Sequence, residues 1–180
     1  MQPALVEDRV GGSSGGGSAG GTDHILAGLI ARAVGVDPAK VNYVPYKGGG
    51  EAIAAILGGH VTVGVSGIGE FAEQVKAGKM RALAQSAPTK VDGIPSLKEQ
   101  GIDVELGNWR GIFGAPGITP QQRDALVKLV KDATETPAWK ATLAKLGWTP
   151  VFLGGDDYRK FIDEDIKRVG AIIDSLGLKK

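Results

Sequence analysis

Three glycine-rich segments are the parts of this sequence best suited to bind a ligand. They occupy positions 15–22, 47–50 and 66–69, and each directly precedes a predicted helix. The first turn of a helix leaves backbone N–H groups without partners and carries a partial positive charge, which suits an anion. Glycine also lets a ligand approach the backbone closely. The segments therefore predict an anion site, although the same glycines could serve only as tight-turn residues.

Charged side chains near these segments would strengthen or oppose anion binding. Lys47, and also His24 or Arg110, could add charge-assisted hydrogen bonds. Glu51 and Glu70 stabilise the starts of their own helices. They would repel a nearby anion unless their carboxylates point away.

Catalytic and metal-binding patterns are weak. His24 and His60 lack the spacing of metal ligands, and we expect surface or capping histidines there. Ser66 is not in a Gly-x-Ser-x-Gly elbow. The acidic runs at 156–157 and 163–165 are interpreted as helix-start and surface charges. No catalytic residue, metal ligand or cofactor is predicted from these positions.

A nucleotide-cofactor enzyme is an alternative. Gly15, Gly17 and Gly20 match the G-x-G-x-x-G pattern of dinucleotide sites. Such a site would also need a strand before the loop, here at 4–10, and an acid about 20 residues further on. Asp37 is a loose match for that acid, and the lysine of a P-loop is absent. A third hypothesis is a non-binding assembly domain.

Composition limits the class of protein. The 180 residues correspond to one domain or two small lobes, at about 150 residues per domain. Lys plus Arg is 21 and Asp plus Glu is 20, so a net charge of +1 argues against nucleic-acid binding. The chain has no cysteine, which excludes disulfides and thiolate chemistry. No apolar run reaches the roughly 18 residues of a membrane span, and no signal peptide is visible.

Strands and helices alternate, which predicts an α/β fold with a parallel sheet. By composition, the run GGSSGGGSAGG at 11–21 is typical of a flexible linker. Predicted strands cover 41–44, 61–65, 81–84 and 148–153. Helices are predicted after N-caps at Thr22, Thr119 and Thr136, and from Glu51 and Glu70. A last helix at 157–176 should bury Tyr158, Phe161, Ile162, Ile166, Val169, Ile172 and Ile173.

Several motifs resemble one family closely. They are GGSAGGTDHILAGLIARAVGVDPAKVNYVPYKGGG, then VKAGKMRALA, then IPSLKEQG and NWRGIFGAPGITP. In this order they resemble the substrate-binding proteins of tripartite tricarboxylate transporters, the Bug family of periplasmic solute receptors. The resemblance runs from about Gly16 to the C-terminus.

The resemblance implies a type II periplasmic binding protein-like fold with a parallel or mixed sheet and flanking helices. It implies a receptor, not an enzyme, that holds a small di- or tricarboxylate without a cofactor and delivers it to membrane transporter subunits. The residues implied to contact the ligand are Ser18, Ala19, Gly20, Gly21, Thr22 and Asp23 in the first loop, Tyr46, Lys47, Gly48, Gly49 and Gly50 in the second, Ser66 and Gly67 in the third, and Trp109 on a crossing strand. The third loop departs from a common family form with an acid or amide near Ser66.

The family usually has about a hundred more residues before the first glycine loop, so the resemblance implies mainly the second lobe plus C-terminal helices. We expect a first-lobe remnant and glycine-rich join at 1–16, a second-lobe ligand-binding domain at 17–112, and a crossover with helices at 113–180. An internal deletion or an engineered join would explain this arrangement. A single cleft wall leaves a carboxylate solvated, so we expect weak binding by this chain. Apolar helix faces without a first lobe predict self-association.

Overall fold

The computed structural model describes residues 12–178, and these residues divide into two compact units. One unit contains the described residues up to Asn108 together with the segment from Val169 onward. The other is Trp109–Arg168. Among the described residues, no helix is both long enough and apolar enough to cross a membrane.

The first unit contains a parallel three-stranded sheet. Its strands are β1 (Ser14–Gly16), β2 (Tyr43–Pro45) and β3 (Val63–Gly64). The order is β2-β1-β3, so β1 is central, with Ser14 opposite Tyr43 on one side and Val63 on the other. The predicted strands at 41–44 and 61–65 are confirmed as elements, but both are shorter and begin two residues later.

Part of the glycine-rich run forms the central strand of the sheet, β1 (Ser14–Gly16). A Cβ on Gly15 would lie 2.8 Å from the Tyr46 ring. A Cβ on Gly16 would collide with the carbonyl oxygen of Val65 and lie 2.6 Å from the Tyr43 hydroxyl. Glycine is therefore required here by the close approach of both neighbouring strands and not by flexibility, so the prediction of a linker is wrong for β1.

Three helices follow the three strands: α1 (Thr22–Ala33), α2 (Gly49–Leu57) and α3 (Ile68–Lys76). Each begins inside or directly after a glycine loop, as expected. Three helix starts differ from the predictions, and one of them is α3, which begins at Ile68, two residues before Glu70. Thr22 is the first helical residue and Gly21 is the N-cap, and α2 begins at Gly49, two residues before Glu51. The glycines thus form the helix starts themselves.

The core of this unit lies between α1, the segment after the sheet and the end of the last helix. Short 3₁₀ helices occur at Pro38–Lys40 and Lys98–Gln100. The predicted capping box is present, because Ser96 Oγ accepts from the Glu99 N–H at 3.0 Å and the Glu99 carboxylate accepts from the Ser96 N–H at 2.8 Å. The buried core residues are Ile25, Leu29, Leu97, Val104, Leu106 and Ile172.

Residues 81–84, predicted as a strand, form no strand. Next to them, Gln85 makes a single parallel bridge with Ser96. The Gln85 N–H donates to the Pro95 carbonyl at 3.0 Å and the Leu97 N–H donates to the Gln85 carbonyl at 2.9 Å, but Pro95 has no N–H with which to extend the ladder towards 81–84. The ladder therefore stops after one bridge.

The second unit is helical, with α4 (Pro120–Glu135), α5 (Pro137–Leu146) and most of α6 (Gly155–Ser175). The N-caps predicted at Thr119 and Thr136 are confirmed, since each hydroxyl accepts the backbone N–H of the third residue of its helix.

Two other predictions for this part of the chain are wrong. Residues 148–153 form no strand, because no partner strand lies beside them in the described chain and Pro150 lacks a donor. Ile166 is 65% exposed, although it was predicted to be buried. Its neighbour Asp165 takes the buried position on α6 instead, where it forms a hydrogen bond to Trp109.

Candidate ligand site at the carboxyl edge of the sheet

The three glycine loops meet at one edge of the sheet. The Tyr46 N–H donates to the Gly16 carbonyl at 2.8 Å, and the Val65 N–H donates to the Gly15 carbonyl at 2.9 Å. Because β2 and β3 both run parallel to β1, the carboxyl ends of all three strands lie together. This is the edge at which open α/β sheets bind ligands.

The first loop is held by the first turn of α1. Asp23 Oδ2 accepts the Gly17 N–H at 2.8 Å, and His24 Nδ1 accepts the Gly20 N–H at 3.1 Å. The Gly21 N–H donates to the Ser18 carbonyl at 2.9 Å, and Gly20 has a φ of 75°, a conformation that favours glycine. The loop geometry is thus fixed by two side chains of the helix that it precedes.

Tyr43 supports this loop from β2, although sequence reasoning did not select it. Its hydroxyl donates to the Gly17 carbonyl at 2.8 Å. Its ring stacks on His24, with centroids 4.2 Å apart and planes 9° from parallel. The sequence feature that could have indicated Tyr43 is an aromatic residue on a short predicted strand just before a glycine loop.

Burial controls the charges of these supporting groups. It raises the pKa of Asp23, and the nearby Glu70 carboxylate raises it further, against the opposing hydrogen bond from Gly17. Burial lowers the pKa of His24 and raises the pKa of Tyr43. His24 is therefore a neutral acceptor that holds the loop, and not the cation suggested for it.

In the second loop the backbone faces a carboxylate of its own helix. The Lys47 N–H donates to Glu51 Oε2 at 3.0 Å. Tyr46 is half-buried, and Lys47, Gly48 and Gly50 are exposed.

Glu70 links the second and third loops. The Ser66 hydroxyl donates to Glu70 Oε2. The same carboxylate lies against the first turn of α2, where a Cβ on Gly49 would collide with it. Glu70 is exposed, whereas Ser66 is half-buried and Gly67 is exposed beside it.

The helices that begin at this edge differ from α4 and α5 in their caps. The N-cap residues of α1, α2 and α3 are Gly21, Gly48 and Gly67, and none has a side-chain cap. The N-caps of α4 and α5 are threonines whose hydroxyls accept backbone N–H groups. Three helix starts at the loop edge therefore keep backbone donors that no side chain caps.

Trp109 belongs to the other unit. Its indole N–H donates to Asp165 Oδ2 at 3.1 Å, and its ring meets those of Tyr158 and Phe161 edge-on. Arg168 pairs with the same Asp165 carboxylate. These contacts give Trp109 a structural role within Trp109–Arg168, and its contact with a ligand stays a prediction.

Two further expectations concern metal and nucleotide chemistry at this edge. Within residues 12–178, no three His, Cys, Asp or Glu side chains are grouped so that they could hold a metal ion. The strand proposed at 4–10 for a dinucleotide site lies outside the described residues. The strand that does lead into the loop is Ser14–Gly16.

Solved structures show which class of protein has this arrangement. A TctC solute-binding protein from Polaromonas, solved without ligand, matches with a TM-score of 0.74 and 24% identity over 92% of this chain and 57% of its own. R. palustris Rpa4515, solved with adipate, matches with a TM-score of 0.72 and 21% identity over 92% of this chain and 56% of its own. This chain therefore shares the fold of the TctC solute-binding protein.

The sequence comparisons identify the family. Residues 9–178 match the family described as "Tripartite tricarboxylate transporter family receptor". A Cupriavidus necator protein, "UPF0065 protein in gbd 5'region", is 32% identical over 88% of this chain and 48% of its own length. Protein BugT of Bordetella pertussis is 28% identical over 89% of this chain and 49% of its own. The chain belongs to the tripartite tricarboxylate transporter receptor family, and it spans about half the length of these relatives.

Proposed function

We propose that this chain binds a small carboxylate at the carboxyl edge of its sheet, as part of a solute receptor for a tripartite transporter. One observation carries the proposal: three helices without side-chain caps begin together at that edge. Their first N–H groups and positive dipole ends suit a carboxylate. The adipate in the R. palustris neighbour is a carboxylate of this general kind.

We propose that the ligand contacts the exposed parts of these loops. In the first loop, Ser18 and Ala19 are exposed, while Gly20, Gly21 and Thr22 lie in the turn into α1. Asp23 acts from behind the loop, because its carboxylate is already hydrogen-bonded to Gly17. We expect the ligand to meet backbone N–H groups first and the Lys47 ammonium second.

Adding a cap to α2 would test this function. Gly48 has an extended backbone with φ 176°, and a Cβ there would meet nothing within 4 Å. In Gly48→Ser the hydroxyl can accept N–H groups of the first turn and so compete with a ligand carboxylate. We expect the free energy of unfolding to stay equal or rise by a few tenths of a kcal/mol, while carboxylate affinity falls.

The measurement is a thermal melt with a panel of mono-, di- and tricarboxylates at millimolar concentration. A ligand at about 100 times its Kd adds roughly 2.7 kcal/mol, which raises the Tm by about 5–10 °C. Gly107→Ser is the matched control, because a Cβ there also meets nothing within 4 Å and Gly107 starts no helix. The proposal fails if no carboxylate shifts the Tm, or if Gly48→Ser and Gly107→Ser bind equally well.

Transport partners and location belong to the same proposal. A receptor of this family works in the periplasm and passes its solute to membrane subunits. We therefore propose membrane transporter components as partners and the periplasm as the location. Binding of the chain to reconstituted membrane subunits, with and without carboxylate, would test this.

Self-association remains a further proposal. Within Trp109–Arg168 the side chains of Ile112, Phe113 and Val151 are 72%, 69% and 69% exposed. Apolar exposure of this extent favours association with another surface. Light scattering across a concentration series would test it, and a mass that stays monomeric at the highest concentration would contradict it.

A further inference from the structure

The edge of the sheet formed by the three glycine loops has more negative than positive side chains, which is unusual for a site that binds a ligand with two or three carboxylate groups. Within 15–24, 46–51 and 65–70 the sequence contains three carboxylates, Asp23, Glu51 and Glu70, but one lysine or arginine, Lys47. A ligand with two or three carboxylates would bring further negative charge close to these groups. Like charges repel each other, and the exposure of Glu51 and Glu70 to water limits that repulsion to a moderate size.

The three carboxylates differ in how they are held. Asp23 and Glu51 each accept a backbone N–H of a glycine loop, at 2.8 Å and 3.0 Å. Those bonds tie both groups to the fold. Glu70 is hydrogen-bonded instead to the Ser66 hydroxyl, which rotates freely about its own bond, and its side chain is exposed. Glu51 is exposed as well, so what distinguishes Glu70 is that its partner is a side-chain hydroxyl and not a backbone N–H.

Glu70 also lies beside the helix start at which a ligand carboxylate would bind. Its carboxylate contacts the first turn of α2 at Gly49, one residue after the uncapped N-cap at Gly48. It is also close enough to Asp23 for each charge to act on the other. A ligand that places one end on the N–H groups of α2 has its remaining polar groups near Glu70.

We propose that Glu70 selects the ligand class: a small molecule with one carboxylate and one ammonium group, in preference to a di- or tricarboxylate. This inference rests on the proposed carboxylate site. The ligand carboxylate binds the uncapped helix starts, and the ammonium group pairs with Glu70 through charge-assisted hydrogen bonds. A second carboxylate in that position would be repelled.

Two probes of equal chain length test the selection. 4-Aminobutyrate and glutarate differ in one terminal group, an ammonium in the first and a carboxylate in the second. Their affinities for the 180-residue chain are measured by NMR titration, which detects millimolar Kd values and reports the amide signals of Gly48–Gly50 directly. We expect the wild type to bind 4-aminobutyrate more tightly.

The decisive variant is Glu70→Gln, which keeps the size and the acceptor for Ser66 but removes the charge. We expect the affinity ratio of 4-aminobutyrate to glutarate to fall about tenfold, which equals about 1.4 kcal/mol. Glu73→Gln is the matched control on α3, because Glu73 is 79% exposed and pairs with Lys76 on the surface. Its ratio should equal that of the wild type, and melts of both variants verify folding.

The possible failures can be told apart. If the wild type prefers glutarate, or if the ratio in Glu70→Gln stays within twofold of the wild type, Glu70 does not select the ligand, although the carboxylate site stands. If neither probe nor any other carboxylate binds, the proposed function and this inference both fall.

Discussion

Replacing Gly16 by alanine tests whether the glycine-rich run is a strand or a linker. In the structure a new Cβ would collide with the Val65 carbonyl and lie 2.6 Å from the Tyr43 hydroxyl and 2.9 Å from Asp23 Cβ. The Val65 carbonyl belongs to the backbone beside β3, so no side-chain rotation can relieve the collision. The strands would have to separate.

The expected cost follows from these contacts. Overpacking of this kind costs about 1–3 kcal/mol. Moving Tyr43 also weakens its 2.8 Å hydrogen bond to the Gly17 carbonyl, and a lost hydrogen bond of this type costs about 1 kcal/mol. A total of about 2–4 kcal/mol lowers the Tm of a domain of this size by roughly 5–15 °C.

Denaturant unfolding and thermal melts of Gly16→Ala measure this cost. Gly50→Ala is the control, because a Cβ there meets nothing within 4 Å and Gly50 lies in the first turn of α2. It should change the free energy of unfolding by about 0.5 kcal/mol or less. If Gly16→Ala melts within 2 °C of the wild type, the segment does not lie between two strands and the reading from composition, a flexible linker, is correct.

Three further predictions concern other positions. Gly170→Ala, in the interior of α6 with open space around its Cβ position, should raise the free energy of unfolding by about 0.5–1 kcal/mol in a denaturant titration. Tyr158→Phe should leave the Tm unchanged or raise it, because the hydroxyl is buried with no partner among the described residues; a large fall in Tm would reveal a missed bond. Burial lowers the pKa of His24, so the unfolded chain binds its proton more readily and stability should fall as the pH drops below 6.5. His24→Phe should lose this pH dependence, which His60→Gln should retain.

Local patterns predicted much of the helical structure. The threonines at 119 and 136, each followed by proline, predicted helix starts that the structure confirms. The capping box of Ser96 and Glu99 was also predicted. These signals succeed because a cap depends on atoms within three residues of each other.

The central strand could not be predicted in the same way. Glycine and serine at 14–16 have low strand propensity, and composition therefore favoured a linker. Their suitability depends on Tyr43, Tyr46 and Val65, which lie 27 or more positions away in the chain. Strand pairing likewise brings Tyr43 to the first loop and Glu70 to the start of α2, contacts that local sequence cannot predict.

The helix starts that were predicted wrongly are the three that lie at the candidate site. The capping rule favoured Thr22 as the cap of α1, yet the structure uses Gly21, and α2 and α3 likewise begin after glycine. A side-chain cap at each would stabilise the isolated helix but would occupy the N–H groups that a carboxylate needs. Away from this edge, α4 and α5 follow the capping rule. A fold that departs from the capping rule at three helix starts on one edge, and follows it at α4 and α5, has the pattern expected where binding competes with stability.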